Sequence, residues 1–503
     1  MQGVFTAVTK IRRHVFTAVA RYAYQRDRDV DTFRDFYAIP YQISPGEKPQ
    51  YRDSVLVERG VSRERARLAV GMPLRPVNEY LDLATGFDEI DKSETALTEP
   101  IVNVITFACE ACPTKTYRVT SNCRRCTAHP CTTVCPKNCI TIERSGAVID
   151  EDVCIRCGRC MAACPYNAII EFGRPCAEAC GADAIGSDEL GRAKIDYDKC
   201  VSCGLCMANC PFGAIADKSE IFQVINAIRD GTKVVAQIAP AFVGQFGPLA
   251  TPNKIFNGIK ALGFADVVEV ANGADVSSMH EAKEFLELVP EKQPFMATSC
   301  CPAWASFAKK VLPEDLKDYV SGSSTPMVAS AELIKKQHPD AKVVFIGPCV
   351  AKKAESMRED VRPFIDFVLT YEELMGMLVA RQVELSEMSD EFESPMASTT
   401  GRRYAVASNV SSAIVSCIQE LAPDREDIKT VNADSLADCK KMLILAKNHK
   451  YDGHLLEGMA CPGGCIGGAG TLAPLRQAAK AVEDYARQSP YSNALQNPNS
   501  ASD

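Results

Sequence analysis

The distribution of cysteine is the feature that most constrains this chain. Of its 24 cysteines, 17 lie between Cys109 and Cys210. The N-terminal stretch has no apolar run followed by a small-residue cleavage site, so we expect a cytoplasmic protein with reduced thiols. A chain of 503 residues can bury several cores without disulfide support. Cysteine at this density therefore indicates metal or cluster ligands rather than disulfides.

Composition excludes several other classes of protein. Hydrophobic residues make up 46% and charged residues 24%, which is globular composition. The net charge of -8 is the wrong sign for a nucleic-acid partner. No stretch approaches the ~18 consecutive apolar residues of a membrane helix. We therefore expect no nucleic-acid partner and no membrane span.

The pattern along the chain divides it into four segments. Residues 1–95 are predicted to be a helical, locally basic segment, 96–220 a cluster-binding domain, 221–475 an α/β domain, and 476–503 a flexible tail. In the α/β domain, short apolar runs closed by turn residues predict buried parallel strands. These strands are Lys233–Pro240, Val267–Ala271 and Lys342–Cys349; Ser277–Val289 is predicted helical, and Thr370–Glu373 is a candidate capping box.

Four cysteine runs occupy the second segment. Two copies of C-x2-C-x2-C-x3-C-P start at Cys154 and Cys200, and a variant with a longer middle loop starts at Cys123. A fourth run is broken and keeps only Cys176 and Cys180. In bacterial ferredoxins three cysteines of such a run hold one [4Fe-4S] cluster, and the fourth holds the neighbouring one.

The spacing between runs pairs the first with the second, and the broken run with the last. The ligand sets are then Cys123/Cys126/Cys131/Cys164, Cys135/Cys154/Cys157/Cys160, Cys180/Cys200/Cys203/Cys206 and, by completion, Cys109/Cys112/Cys176/Cys210. Only Cys139 is left over. The alternative is three clusters, with Cys109 and Cys112 empty or binding zinc. The region resembles the electron-transfer subunits of molybdopterin oxidoreductases, and a series of clusters conducts electrons without defining the reaction.

Three further cysteine motifs occupy the α/β segment. They are TSCCPAW (Thr298–Trp304), IGPCVAKKAE (Ile346–Glu355) and EGMACPGGCIGGAG (Glu457–Gly470). Cys301, Cys349, Cys461 and Cys465 come from three distant segments and could together hold one more cluster. Ligands that only the fold brings together suggest a site between two lobes of the domain. The glycines of the third motif remove side chains where backbone must approach a bulky group.

These motifs, in this order, resemble the signatures of [FeFe]-hydrogenases over roughly residues 96–475. TSCCPAW is similar to the less-studied branch of monomeric enzymes. The resemblance implies a two-lobed α/β catalytic domain beside an α+β ferredoxin-like domain, and reversible H2 formation from protons and electrons. It implies an H-cluster, in which a cubane joins a diiron unit carrying CO, cyanide and a dithiolate bridge. A ferredoxin-type electron carrier and dedicated maturation enzymes are the implied partners.

The resemblance also assigns roles to individual residues. The cubane ligands are Cys301, Cys349, Cys461 and Cys465, and Cys465 bridges to the diiron unit. Cys300 matches a proton-passing thiol, and Glu281, Ser321 and Glu284 match the onward proton route. Lys352 matches a lysine that hydrogen-bonds cyanide, whereas Lys353 is expected to be solvated. Met459 is expected to line the diiron pocket. So are Ala241, Met327 and Gly347, three positions at which this sequence differs from the better-known branch of the family.

Other functions compete with the enzyme. A hydrogenase-like iron–sulfur scaffold or assembly factor, a hydrogen sensor and a plain electron-transfer subunit all share parts of the pattern. The intact Cys300-Cys301 pair and the complete third motif favour the enzyme.

The N-terminus carries an amphipathic helical pattern. Its apolar positions are Val4, Val8, Ile11, Val15 and Val19, and its basic residues Lys10, Arg12, Arg13 and Arg21 are expected to point mostly outward. An outward basic face favours docking of an acidic ferredoxin. A plain scaffold helix and an organelle-targeting presequence are the alternatives.

Overall fold

The computed structural model describes residues 3–27, 33–393, 396–425 and 428–500. The first segment is helical, and its longest helix begins where the Thr6 side chain accepts a hydrogen bond from the Thr9 N–H (3.2 Å). A serine caps the third helix in the same way. The helices are α1 (Ala7–Gln25), α2 (Arg34–Ile43), α3 (Val55–Ala69) and α4 (Phe87–Ile90).

Helix α1 is part of the core of the α/β segment. Val15 and Val19 are buried there together with the apolar residues of α9 (Ile221–Arg229) and α15 (Tyr371–Ala380). The prediction that Arg12 points outward is wrong, because Arg12 is buried and forms an ion pair with Glu372 of α15. Along a helix that is packed on several sides, one basic residue falls on a buried face. Arg13 is half-buried, and Lys10 and Arg21 are exposed.

The cysteine-rich segment consists of short antiparallel strand pairs and single helical turns. The pairs are β1–β8, β2–β5, β3–β4 and β6–β7. Their bounds are β1 (Val102–Val104), β2 (Thr116–Val119), β3 (Ile140–Glu143), β4 (Gly146–Ile149), β5 (Ile169–Phe172), β6 (Ile185–Ser187), β7 (Ala193–Ile195) and β8 (Ile215–Asp217). The turns are α5 (Pro130–Thr133), α6 (Arg159–Ala163), α7 (Pro175–Glu178) and α8 (Leu205–Asn209).

Two parallel sheets form the α/β segment. The first has the order β10-β9-β12-β13, and the second has the order β11-β15-β14. Their strands are β9 (Val234–Ile238), β10 (Asp266–Glu269), β11 (Met296–Ala297), β12 (Lys342–Gly347), β13 (Phe367–Thr370), β14 (Lys429–Ala433) and β15 (His454–Gly458). All three predicted strands are present and parallel, although the last two residues of Val267–Ala271 already belong to the next helix.

Helices join and cover these strands. They are α10 (Pro252–Ala261), α11 (Val270–Leu288), α12 (Pro302–Val311), α13 (Pro326–Gln337), α14 (Ala351–Glu355), α16 (Thr399–Arg403), α17 (Asn409–Leu421), α18 (Leu436–Lys447) and α19 (Leu475–Ala486), besides α9 and α15. The predicted capping box is present, since the Thr370 side chain accepts a hydrogen bond from the Glu373 N–H, and the Glu373 carboxylate accepts one from the Thr370 N–H. Within the described ranges, no helix is both long and apolar enough to cross a bilayer.

The prediction of a flexible tail from residue 476 is wrong over the described part of the C-terminus. Helix α19 buries Val482 and Ala486. Beyond it, Asn497 is 2% exposed and donates a hydrogen bond to the buried Asp275 of α11 (2.8 Å). The low apolar content suggested disorder, but polar side chains anchor this stretch by hydrogen bonds to buried carboxylates. Residues 501–503 lie outside the described chain.

Candidate functional site

Four small cavities in the cysteine-rich segment are each lined by one cysteine quartet. No three His, Cys, Asp or Glu side chains in the described residues converge closely enough for a single metal ion, so each quartet surrounds a space instead. The quartets are Cys123/Cys126/Cys131/Cys164, Cys135/Cys154/Cys157/Cys160, Cys180/Cys200/Cys203/Cys206 and Cys109/Cys112/Cys176/Cys210. The structure thus brings together each set inferred from spacing. Cys139 lines the second cavity as a fifth thiol.

The backbone repeats itself at these cavities, including the one that contains Cys109 and Cys112. The residue before the second cysteine of each C-x2-C pair adopts the left-handed conformation: Ala111 (φ 44°), Arg125 (φ 50°), Arg156 (φ 59°) and Ser202 (φ 52°). Non-glycine residues rarely adopt this conformation, and four equivalent instances indicate one shared loop geometry. The Cys109–Cys112 loop therefore has the geometry of the three intact runs.

Peptide N–H groups point at the cysteine sulfurs. Ala168 donates to Cys164 Sγ, and Ala184 and Ala214 donate to the corresponding sulfurs of Cys180 and Cys210, each at 3.4 Å. Hydrogen bonds of this kind favour the thiolate, the form of cysteine that binds metal.

The cavities are connected to the α/β segment through buried apolar side chains. Cys203 packs in the same cluster as Cys301 and Cys349, and Cys206 packs with Cys176 and Cys210. The quartets of Cys123 and Cys135 share a separate core around Tyr117. The quartet containing Cys203 is therefore the one next to the three motifs of the α/β segment.

Those motifs place four more cysteines at the carboxyl ends of strands from both sheets. Cys301 follows β11, Cys349 follows β12, and Cys461 and Cys465 follow β15. Carboxyl ends of parallel strands are where such folds bind ligands. Burial, then the charges of neighbouring thiols such as Cys301, raise the pKa of Cys349 to about 12. The same two causes raise the pKa of Cys465 above its ordinary range.

Four thiols with pKa values raised in this way fit an iron–sulfur group. The charge of Lys352 does not offset burial, so the thiols stay protonated until ligation to iron compensates the thiolate charges. The site also contains buried polar atoms with no hydrogen-bond partner in the described chain, Glu281 Oε2 and Thr298 Oγ1. The four cysteines therefore suit a cluster rather than a single metal ion, for which no group of side chains in the described residues is close enough.

The glycines of the third motif bring it against the second. A Cβ on Gly468 would lie 2.6 Å from the carbonyl oxygen of Pro348, and one on Gly464, which has φ +90°, would lie 2.6 Å from the amide nitrogen of Ala407. The Gly470 N–H donates to Pro348 O (2.9 Å). These glycines allow backbone to pack on backbone, so that the two flanking cysteines reach Cys349.

Three predicted proton-route residues lie together. Glu281, 1% exposed, accepts hydrogen bonds from the N–H and hydroxyl of Ser299, both 2.8 Å. Burial raises the pKa of Glu281 to about 7. Ser321 donates to Glu284 (2.5 Å), which also accepts from Ser323 (2.9 Å). Ser299 was not singled out in the sequence, although its place beside Cys300 was a usable signal.

Cys300 lies at the inner end of this group. It packs in one apolar cluster with Cys301 and the buried Met459. Burial, followed by the charge of Glu281, raises the pKa of the Cys300 thiol well above its ordinary value. The thiol is therefore protonated and adjacent to a carboxyl group that titrates near neutral pH.

Two adjacent lysines have different environments. Lys352 is 7% exposed, lies 2.6 Å from Glu355 Oε2 and donates to Thr325 Oγ1 (3.1 Å). The expectation that Lys353 is solvated is wrong. It is 0% exposed and pairs with Asp217 (2.7 Å) and Glu373 (2.8 Å). Lys353 therefore ties β8 of the cysteine-rich segment to α15, a long-range contact with no local signal in the sequence.

The three residues that are predicted to line the diiron pocket and that differ from the better-known branch lie inside the protein. Ala241 and Met327 are 0% exposed. Gly347 ends β12, and a Cβ there would lie 2.6 Å from the ring of Phe345 and 3.0 Å from Ala239 Cβ. The Phe345 ring therefore takes the space that a larger residue at 347 would need. No pattern in the sequence indicates that Phe345 fills this space.

Comparison with known proteins places the fold in a family. Residues 232–469 match "Iron only hydrogenase large subunit, C-terminal domain", and residues 147–170 and 193–216 match "4Fe-4S binding domain". The periplasmic [Fe] hydrogenase large subunit of Nitratidesulfovibrio vulgaris is 30% identical over 64% of this chain and 85% of its own length.

Other relatives are longer or more distant. The NADP-reducing hydrogenase subunit HndD of Solidesulfovibrio fructosivorans and iron hydrogenase 1 of Clostridium pasteurianum are each 29% identical. The matches cover 64% and 65% of this chain, but only 56% and 65% of those proteins. The nuclear prelamin A recognition factor of Xenopus laevis is 23% identical over 50% of this chain and 69% of its own length.

Proposed function

Because the chain belongs to the iron-only hydrogenase family, we propose that it interconverts H2 with protons and electrons at an H-cluster. The observation that carries this proposal is the position of Cys301, Cys349, Cys461 and Cys465 at strand ends of two sheets, beside the Cys300 thiol and the Glu281 carboxyl group. A cluster-binding domain without hydrogen chemistry has no need of that buried acid pair. When bound, the H-cluster supplies the iron centre at which the H–H bond forms or breaks.

The side chains around it hold and move the proton. Cys300 keeps its proton because burial and the nearby Glu281 disfavour the thiolate. Glu281, with a pKa of about 7, exchanges a proton readily at neutral pH. Ser321 and Glu284, joined by a 2.5 Å hydrogen bond, continue the route to the half-exposed side of α11. Each group can accept a proton from one neighbour and donate a proton to the next, so the route can carry protons in either direction.

Lys352 serves the site by charge. Its ammonium group is buried, is balanced by Glu355 and is held by the Thr325 hydroxyl. It lowers the pKa of Cys301 and of Cys465, although burial outweighs this effect at both. An ammonium group in this position favours anionic ligands such as thiolate and cyanide.

The quartets of the cysteine-rich segment form the electron path. The quartet of Cys203 packs against the H-cluster site, and the quartet of Cys176 packs against that of Cys203. Cys157 is exposed, which makes its quartet the natural point of electron exchange with a ferredoxin-type carrier. We propose four [4Fe-4S] clusters in these quartets, with maturation enzymes supplying the diiron unit.

An iron–sulfur assembly or scaffold role is the second candidate. It is favoured by the similarity to the nuclear prelamin A recognition factor. The two functions differ in whether a diiron unit with CO and cyanide is present. Infrared spectroscopy of the protein after maturation distinguishes them, because cubane clusters held by cysteines carry no CO or cyanide and give no such bands.

We expect those bands together with H2 evolution from a reduced dye. Absence of both in protein with full cubane iron would overturn the hydrogenase proposal and leave the scaffold role.

A further inference from the structure

The quartet of Cys135 differs from the other three because its cavity has a fifth thiol. In three of the four runs, the residue four positions after the last cysteine is an alanine: Ala168, Ala184 and Ala214. In the first run, this position is Cys139. The turns that precede these positions are alike, with left-handed residues at Asn138 (φ 49°), Asn167 (φ 48°), Asp183 (φ 51°) and Gly213 (φ 60°). Cys139 therefore puts a sulfur where the equivalent runs put a methyl group.

The extra thiol faces the cluster site. Cys139 is 7% exposed and lines the cavity with Cys135, Cys154, Cys157 and Cys160. Its Sγ lies 3.4 Å from Cys135 Sγ, close enough for one thiol to donate a hydrogen bond to the other. Both sulfurs therefore line the same cavity in contact with each other.

We infer that Cys139 is a second, exchangeable ligand for the iron atom that Cys135 holds; this rests on the proposal that a [4Fe-4S] cluster occupies the quartet. In the exchange, the iron–sulfur bond to Cys135 breaks as the bond to Cys139 forms. The proton of the Cys139 thiol moves to the released Cys135 sulfur. The exchange is a ligand substitution without oxidation or reduction, so it needs no co-reactant.

The two cysteines differ in their exposure to solvent, and this difference indicates what the exchange would achieve. Cys135 is partly exposed, whereas Cys139 is buried. Exposed thiols and thiolates are the ones that oxidants and alkylating agents modify. A buried substitute ligand keeps the cluster bound when Cys135 is modified.

Alanine variants of the full chain test the inference by iron content and by the EPR spectrum of the reduced clusters. We expect Cys135→Ala to keep its iron with a shifted spectrum, and Cys139→Ala to keep its iron with the parent spectrum. The double variant loses about four iron atoms. The matched control is Cys164→Ala, which has Ala168 in place of a spare thiol and loses about four.

The outcomes separate this inference from the proposed cluster. If Cys160→Ala also leaves the iron unchanged, the cluster itself is absent from this cavity. If Cys160→Ala loses iron and Cys135→Ala loses as much as the double variant, only the exchange is wrong. If Cys139→Ala loses iron and Cys135→Ala does not, then Cys139 is the sole ligand of the pair. That result would also overturn the exchange.

Peptide mapping of the unsubstituted holoprotein after iodoacetamide treatment gives a test that does not depend on variants folding. Exchange releases the Cys135 thiol, so we expect a label on Cys135 and none on Cys164. A label on Cys139 alone, or on neither member of the pair, would contradict exchange.

Discussion

Single side chains at the proposed active site have unusual protonation because the fold buries them beside one another. Cys300 and Glu281 both favour their neutral forms, for the same physical reason. Burial removes the water that would stabilise a charge, and the negative charges of Glu284 beside Glu281 and of Glu281 beside Cys300 add to the effect. A proton can therefore reside on either group at neutral pH.

Cys300→Ser is expected to leave the cofactor assembled and nearly stop turnover. A serine hydroxyl is a far poorer proton donor than a thiol, whose unperturbed pKa is about 8.5. Infrared bands of the cofactor and H2 evolution measure the two effects separately. Cys417→Ala is the matched control, since Cys417 belongs to the same apolar cluster as Cys300 but is neither a proposed ligand nor a proposed relay residue. Normal turnover in a fully loaded serine variant would refute the relay.

Glu281→Gln is expected to remove a pH dependence of stability. Between an ordinary pKa of about 4.3 and the folded value of about 7, the native state binds more protons than the unfolded state. The free energy of unfolding therefore falls as pH rises through this window, by about 3 kcal/mol in total. The difference in unfolding free energy between the parent and the glutamine variant should change by that amount from pH 4 to pH 8. The exposed Glu287→Gln on the same helix should show no such change.

Among the secondary-structure elements, α1 is the one whose role differs most from expectation. Its apolar stripe packs into the α/β core as the sequence pattern predicts, but Arg12 enters the core with it. Arg12 pairs with Glu372 and donates to the carbonyl oxygen of Ala469 in the third cysteine motif (3.3 Å). Only Lys10 and Arg21 of the four predicted basic residues remain fully exposed for a ferredoxin.

Arg12→Met is expected to lower the thermal unfolding midpoint by several degrees. It leaves the Glu372 carboxylate buried with the longer contact to Arg13 (3.6 Å), and removing one partner of a buried ion pair costs about 3–5 kcal/mol. Lys10→Met on the exposed side of α1 is the matched control and should change stability by at most about 0.5 kcal/mol. Equal midpoints for the two variants would show that the ion pair does not hold α1.

Across the whole molecule, the quartets of Cys176 and Cys203 pack in series toward the proposed active site, whereas those of Cys123 and Cys135 share a core of their own. Lys353 reinforces this connection, because its ion pairs join β8 to α15 between the two regions. The repeated left-handed turn at Ala111 places the Cys109–Cys112 loop in the same structural class as the intact runs. This repetition favours four accessory clusters over three.

The double variant Cys109→Ala/Cys112→Ala is expected to lose about four iron atoms. Cys139→Ala is expected to lose none, since Cys135 remains to hold the neighbouring cluster. Iron analysis of the purified proteins measures both. Unchanged iron in the double variant would restore the three-cluster alternative.

The sequence by itself determined the cysteine groupings and the parallel strands. Ligand spacing within a run is a local property, and buried parallel strands are recognisable as short apolar runs. The tertiary structure alone decided which charges are buried. Arg12, Lys353 and Asn497 look like surface residues in the sequence, because their partners Glu372, Asp217 and Asp275 lie far away along the chain. Burial of a polar group depends on finding such a partner, and only the folded chain brings the partners together.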